Sequence, residues 1–162
     1  MENQVRASLV AELTQLLAGG NAHATFEAAV ADLPAPLRNQ AVPDVPYTIW
    51  QLVEHIRIAQ WDIVEFCLNP QHVSPEWPAG YWPDKKLAVD EAGWQNTLLQ
   101  IAHDRQRLMA LLENPATDFF APLPHGDGQT IFREAVLIAD HAAYHTGEII
   151  LVRRLLHCQL PK

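Results

Sequence analysis

A long hydrophobic run is the first feature missing from this sequence, since no apolar stretch approaches the roughly 20 residues of a membrane-spanning helix. We therefore expect no membrane partner. The first residues lack the basic region and apolar stretch of a signal peptide, which predicts a cytoplasmic protein. Positive charge is also scarce: 11 Lys and Arg stand against 19 Asp and Glu, for a formal net charge of -8. Because phosphate backbones bind mainly through clustered cations, we expect no nucleic-acid partner.

Cysteine is equally rare. Cys67 and Cys158 lie far apart, in no spacing typical of a metal or redox motif. Each stands in an apolar helical context, so we interpret both as small buried or half-buried hydrophobic side chains. Strand signals are weak too, because no segment alternates apolar and polar residues over a sufficient length.

What the sequence does contain is four long segments with the period of amphipathic helices. We predict helices over residues 2–18, 49–68, 91–114 and 130–157, with Gly19-Gly20 ending the first. Thr48 and Gln51 have the spacing of a capping box, and Asp90 is a candidate N-cap. The first helix has a broad apolar face formed by Val5, Leu9, Val10, Leu13, Leu16 and Leu17. The fold predicted for residues 1–162 is one all-α domain, a four-helix bundle with long crossover loops.

The connections are long for a simple up-and-down bundle. Residues 69–89 contain four prolines, and at roughly 3.3 Å per extended residue they could run the length of the bundle, so the second and third helices could be parallel. The aromatic residues of this connection either line an entrance to the bundle or pack on its surface. A short helical stretch is expected near residues 25–32. Loop length alone leaves the order of the helices open.

The predicted fourth helix carries the pattern with chemical meaning. His141 and His145 are four residues apart, so on a helix their directions differ by about 40° and they are separated by about 6 Å along the axis. Two imidazoles in this arrangement can bind one ion from one face. Ile138, Ile149 and Val152 continue the same stripe. The pair therefore faces the core, where unpaired polar groups are costly.

A third inward histidine is needed to complete such a site. His55 lies mid-way along the apolar face of the second helix. From these residues alone, a metal site and histidines that simply pack in a core or an interface both remain open. The other histidines are interpreted as surface side chains: His23, His72, His103, His125 and His157.

Two segments of the chain resemble the DinB/YfiT-like superfamily of metalloenzymes. They are Pro-Tyr-Thr-Ile-Trp-Gln-Leu-Val-Glu-His-Ile at 46–56 and Asp-His-Ala-Ala-Tyr-His-Thr-Gly-Glu-Ile at 140–149. In that family one ligand histidine follows a Trp-x-x-Leu-like run, and two more come from an H-x-x-x-H-x-G-[QE]-[IL] motif. The resemblance covers essentially the whole chain. It implies a four-helix bundle in which His55, His141 and His145 hold zinc or nickel, completed by water.

The resemblance also implies a small-molecule substrate. Characterised members include transferases that use the low-molecular-weight thiols bacillithiol or mycothiol, and a maleylpyruvate isomerase. Three neutral imidazoles with an open coordination position form the catalytic pattern. The first hypothesis is therefore a metal-dependent enzyme that activates a thiol or water, a thiol-dependent S-transferase or a hydrolase. The second is a non-catalytic, stress-related bundle that binds a metal or ligand. A homodimer is compatible with both.

Glu148 is the candidate catalytic residue. It lies three residues after His145 and seven after His141, on the same helical face, and it stands where the family more often has Gln. Its carboxylate could assist a metal ligand, act as a base, or form an ion pair with a neighbouring helix. Asp140 and Tyr144 point about 100° away from the histidines, so we interpret them as residues at the flank of the site or on the surface.

Overall fold

The computed structural model describes residues 2–19, 22–84 and 87–161. Within these ranges the chain forms six α-helices and one 3-10 turn, with an isolated β-bridge between Pro122 and Thr130. In chain order they are α1 (Glu2–Leu17), α2 (Phe26–Val30), α3 (Ala35–Arg38), α4 (Ile49–Leu68), the 3-10 turn Ala79–Tyr81, α5 (Glu91–Glu113) and α6 (Ile131–Leu155). The all-α prediction is confirmed. The four long helices agree with their predicted bounds to within two residues, whereas α3 was not predicted.

Local capping chemistry explains why the predicted helix starts are correct. The Thr48 hydroxyl accepts a hydrogen bond from the Gln51 backbone N–H, and the Gln51 side chain accepts one from the Thr48 N–H. This reciprocal pair is a capping box. The Asp90 carboxylate accepts from the Gly93 N–H at the start of α5. Each cap satisfies backbone donors that have no partner within the helix.

The first helix is less buried than its sequence predicts. Val5 is 56% exposed and Leu16 is 49% exposed, so the broad apolar face was wrong at these two positions. The reason is that α1 packs on α5 and α6, and the residues of this face that join the core are Leu9, Val10, Leu13 and Leu17. The helix ends at Leu17, and Gly19 follows with φ of 116°, a left-handed conformation that suits glycine. Gly20, predicted as part of the same stop, lies outside the described residues.

The long helices α4 and α5 run parallel. Three hydrogen-bonded pairs join them: Glu54 with Thr97, Gln60 with Ile101, and Glu65 with Arg107. Because the residue numbers rise together along both helices, the two share one direction. The connection between them, described over residues 69–84 and 87–89, therefore returns along the bundle as a crossover, which is one of the two arrangements that loop length had left open.

Two clusters of buried apolar side chains fill the interior. The α2 cluster lies beneath α2 and consists of Phe26, Ala29, Val30, Leu33, Ile49, Trp50, Leu52, Val53, Ile56, Trp94, Ile101, Ile149 and Val152. The α1 cluster lies beneath α1 and consists of Leu13, Leu17, Val64, Cys67, Leu108, Leu112, Phe119, Ile131, Ala135 and Ile138. Since α4 begins in the α2 cluster and α6 ends there, these two helices are antiparallel. On α6, His141 and His145 lie between the residues that belong to the two clusters.

Candidate metal centre

Three histidine side chains converge where α4 faces α6. The Nε2 atoms of His55 and His141 are 3.0 Å apart. His145 completes the group, and the three candidate ligand nitrogens all lie within 4.8 Å of one another. His55 is 3% exposed and His145 is 7% exposed, while His141 is half-buried. The structure thus brings together the three histidines that the sequence singled out.

His55 is held at one edge and on one face by consecutive loop residues. Its Nδ1 donates a hydrogen bond to the backbone carbonyl of Tyr81 at 2.7 Å. The Trp82 ring stacks on the imidazole at 3.9 Å with an interplanar angle of 3°, and Tyr47 stacks on Trp82 at 4.2 Å. Because a carbonyl only accepts, the proton of neutral His55 is on Nδ1. The lone pair on Nε2 therefore faces the other two histidines.

His145 is oriented in a comparable way by Glu148. Its Nδ1 lies 2.6 Å from Oε2 of Glu148, one turn further along α6. A carboxylate that accepts from Nδ1 leaves the Nε2 lone pair of a neutral histidine free. The partner of Glu148 is thus on its own helix, and the interpretation of an ion pair with a neighbouring helix is wrong.

The surroundings keep two of these imidazoles neutral. Burial, together with the nearby His145 and His55, lowers the pKa of His141 to about 3. Burial also lowers the pKa of His55, although its hydrogen bond to Tyr81 acts in the opposite direction. A neutral imidazole is the form of histidine that binds metal ions.

The donor set fits a divalent transition-metal ion. Two nitrogens bound to one tetrahedral zinc ion at about 2.0–2.1 Å lie roughly 3.3 Å apart, close to the 3.0 Å between the His55 and His141 nitrogens. A carbonyl or carboxylate on the second ring nitrogen is typical of metal-binding histidines, and His55 and His145 each have one. In the described part of the chain, no fourth His, Cys, Asp or Glu joins the group. The three histidines could therefore hold a metal ion.

The remaining histidines divide into two kinds. His23, His103 and His157 are exposed, as predicted. His72 and His125 are not solvated surface side chains, and that prediction was wrong. The His72 side chain is 7% exposed and its Nε2 lies 2.7 Å from Oδ1 of Asp62, whereas His125 donates from Nε2 to the Phe66 carbonyl at 2.7 Å. Both loops fold back onto α4, which local sequence does not reveal.

A polar network missed by the sequence reasoning lies beside the three histidines. The Tyr81 hydroxyl donates to Oδ2 of Asp62 at 2.6 Å, and His72 occupies the other carboxylate oxygen. Burial raises the pKa of Tyr81 to about 12, helped by the Asp62 carboxylate, so the phenol remains a donor. The available signal was that Asp62 follows His55 by seven residues and so shares its face of α4.

The predictions for Asp140, Tyr144 and the two cysteines are confirmed. Asp140 is exposed and Tyr144 is 65% exposed. Cys67 is buried and Cys158 is half-buried, and both are free thiols. Of the loop aromatic residues, Trp82 packs against the core and Tyr81 is hydrogen-bonded to α4, whereas Trp77 is 72% exposed.

Together these features define a helical bundle with a three-histidine site in its interior. A family model described as the DinB superfamily matches residues 18–149, a range that includes all three histidines, and the chain belongs to that superfamily. The resemblance drawn from the two sequence segments is thereby confirmed. A comparison with curated proteins and a comparison with solved structures each returned no match. Over the described ranges, every helix is too short or too polar to span a membrane.

Proposed function

We propose that the protein is a metal-dependent enzyme acting on a small molecule, as a thiol-dependent S-transferase or a hydrolase. In this proposal His55, His141 and His145 bind one zinc or nickel ion. The observation that supports it is the convergence of three imidazole nitrogens without a fourth protein ligand among the described residues. Sites with three protein ligands are typical of catalytic rather than structural metals.

An ion in this position would supply a Lewis acid that lowers the pKa of water to about 7 or favours the thiolate form of a thiol. The protein's part is to present three imidazole nitrogens to the ion, two of them on buried side chains. His141 is the least buried of the three. We therefore propose that the substrate approaches from that side of the cluster, next to the exposed Tyr144.

Glu148 has two roles in the proposal. It orients His145 through the 2.6 Å hydrogen bond to Nδ1. Its side chain is also 32% exposed, so the carboxylate can accept a proton from a thiol or water that enters the site. The first role predicts an effect on metal affinity, and the second predicts an additional effect on turnover alone.

Metal content of the purified protein tests the site. Elemental mass spectrometry should find close to one equivalent of zinc or nickel in the wild type and background levels in the His141→Ala and His145→Ala variants. His103→Ala, which removes an exposed histidine of α5, is the matched control and should retain the metal. A wild type that takes up no metal after reconstitution would overturn the proposal.

Turnover assays test the catalytic part. Metal-loaded protein is offered bacillithiol, mycothiol or other small thiols with monochlorobimane or epoxides, and separately esters and amides. Product formation that requires His141 supports the enzyme. Stoichiometric metal without turnover of any of these substrates would instead favour the non-catalytic, ligand-binding bundle.

A further inference from the structure

We infer that Tyr81 is the positioning residue for His55, and that Asp62 and His72 hold Tyr81 in place. The inference rests on the proposed metal site, because it concerns how one of its three nitrogens is aimed. In this inference, the contacts that His72 and Tyr81 of the crossover loop make with α4 determine the orientation of His55, a ligand on α4.

Tyr81 contacts α4 at two points. Its backbone carbonyl accepts from Nδ1 of His55 at 2.7 Å, and its hydroxyl donates to Asp62 at 2.6 Å. Since His55 and Asp62 are seven residues apart, these contacts span about two turns, or about 10.5 Å, of the helix. Tyr81 is therefore hydrogen-bonded to the same helix through both its backbone and its side chain.

At the hydroxyl end of Tyr81, Asp62 is buried and its hydrogen-bonding capacity is satisfied. Asp62 is 7% exposed, and an isolated carboxylate at such a position is costly unless it is hydrogen-bonded. Its two oxygens are taken by the Tyr81 hydroxyl and the His72 ring. Because each partner satisfies the same carboxylate, removal of one weakens the hold on the other.

At the carbonyl end of Tyr81, a tight turn fixes the backbone. The Gly80 N–H donates to the Glu76 carbonyl at 2.7 Å, and the Tyr81 N–H donates to the Pro78 carbonyl at 3.1 Å. A Cβ added at Gly80 would lie 2.7 Å from Cβ of Pro75, so this turn has no room for a larger residue. The Tyr81 carbonyl therefore has little freedom to move away from His55.

The consequence for the site is a defined tautomer and ring orientation. With the carbonyl in place, His55 carries its proton on Nδ1 and directs the Nε2 lone pair at the other two histidines. Without it, the ring can rotate or exchange tautomers. Loss of such outer partners typically costs 10–100-fold in metal affinity, and we expect about tenfold here because the carbonyl itself remains in the variants below.

Tyr81→Phe and His72→Ala are the test variants, and His125→Ala is the matched control. His72 and His125 both join a loop to α4 by one hydrogen bond, but only His72 connects to Tyr81. Nitrogen NMR of the histidine rings in the metal-free protein measures the tautomer of His55. Chelator competition and the visible spectrum of the cobalt-loaded protein measure affinity and ligand geometry.

The expected result is a His55 proton on Nδ1 in the wild type and in His125→Ala, and a mixed population in Tyr81→Phe and His72→Ala. These two variants should also bind metal about tenfold more weakly and show a changed cobalt spectrum. Wild-type tautomer and affinity in both variants, or an equal change in His125→Ala, would overturn the inference. If the wild type binds no metal, the proposed function fails, while the NMR measurement still decides the role of Tyr81.

Discussion

Helices α4 and α6 face each other both in apolar regions and at the histidine site, and the α1 cluster and the histidine site differ in chemistry. In the α1 cluster, Val64 of α4 packs near Ala135 and Ile138 of α6 in an apolar contact. In the histidine site the same two helices present three imidazoles. Apolar side chains need only close packing. A buried imidazole also needs a hydrogen-bond partner for its second nitrogen, which is Tyr81 for His55 and Glu148 for His145.

The α1 cluster and the histidine site therefore have different roles in the bundle. Burial of hydrocarbon stabilises the fold in rough proportion to the area removed from water. Imidazoles that face one point contribute little to this stabilisation, since each loses its contacts with water on burial. We therefore expect stability and metal binding to respond separately to substitutions in the two regions.

The largest effect on stability should come from the apolar region. Leu108 is fully buried in the α1 cluster, and Leu108→Ala should lower the free energy of unfolding by about 2–5 kcal/mol because it leaves a cavity. Urea denaturation measures the change. Metal content of the folded variant should equal that of the wild type, and loss of the metal would show that the two regions are not separable.

Removal of the metal should give the next largest effect, and only in the histidine region. A ligand present at a thousand times its dissociation constant stabilises the folded state by about 4 kcal/mol. A chelator should therefore lower the free energy of unfolding of the loaded wild type by about that amount. The His141→Ala variant should not respond, and an equal response would place the ion elsewhere.

A smaller effect is expected from the outer partner of His145. Glu148→Gln keeps an oxygen acceptor but removes the negative charge, so metal affinity should fall about tenfold, equivalent to about 1.4 kcal/mol. Competition with a chromogenic chelator measures it. Glu12→Gln, at an exposed position of α1, is the control and should have no effect. Unchanged affinity in Glu148→Gln would exclude the positioning role.

The smallest effect concerns the closed interior of the α1 cluster. Burial, together with the nearby Glu134, raises the pKa of Cys67 to about 12. Since the thiolate is the reactive form, a disulfide reagent should modify the half-buried Cys158 but not Cys67 in the folded protein. Cys158→Ser should abolish the reaction. Equal reactivity of both thiols would mean that this cluster opens readily.

The sequence predicted those features that depend on local chemistry. The capping pairs at Thr48 and Asp90 are set within four residues of chain, and they located the starts of α4 and α5. The shared direction of His141 and His145 could be predicted because the helical period places residues four apart on the same face. The burial of His72 could not be predicted, since it depends on where a loop packs. The role of the Tyr81 carbonyl could not be predicted either, because every residue has a backbone carbonyl.

The most direct test of the account is X-ray absorption spectroscopy at the metal edge of the reconstituted protein. A site formed by His55, His141 and His145 should give a shell of three imidazole nitrogens at about 2.0–2.1 Å, and His55→Ala should lose one of them. A sulfur ligand in the wild type, or a spectrum that is the same in His55→Ala, would contradict the claim that these three histidines share one ion.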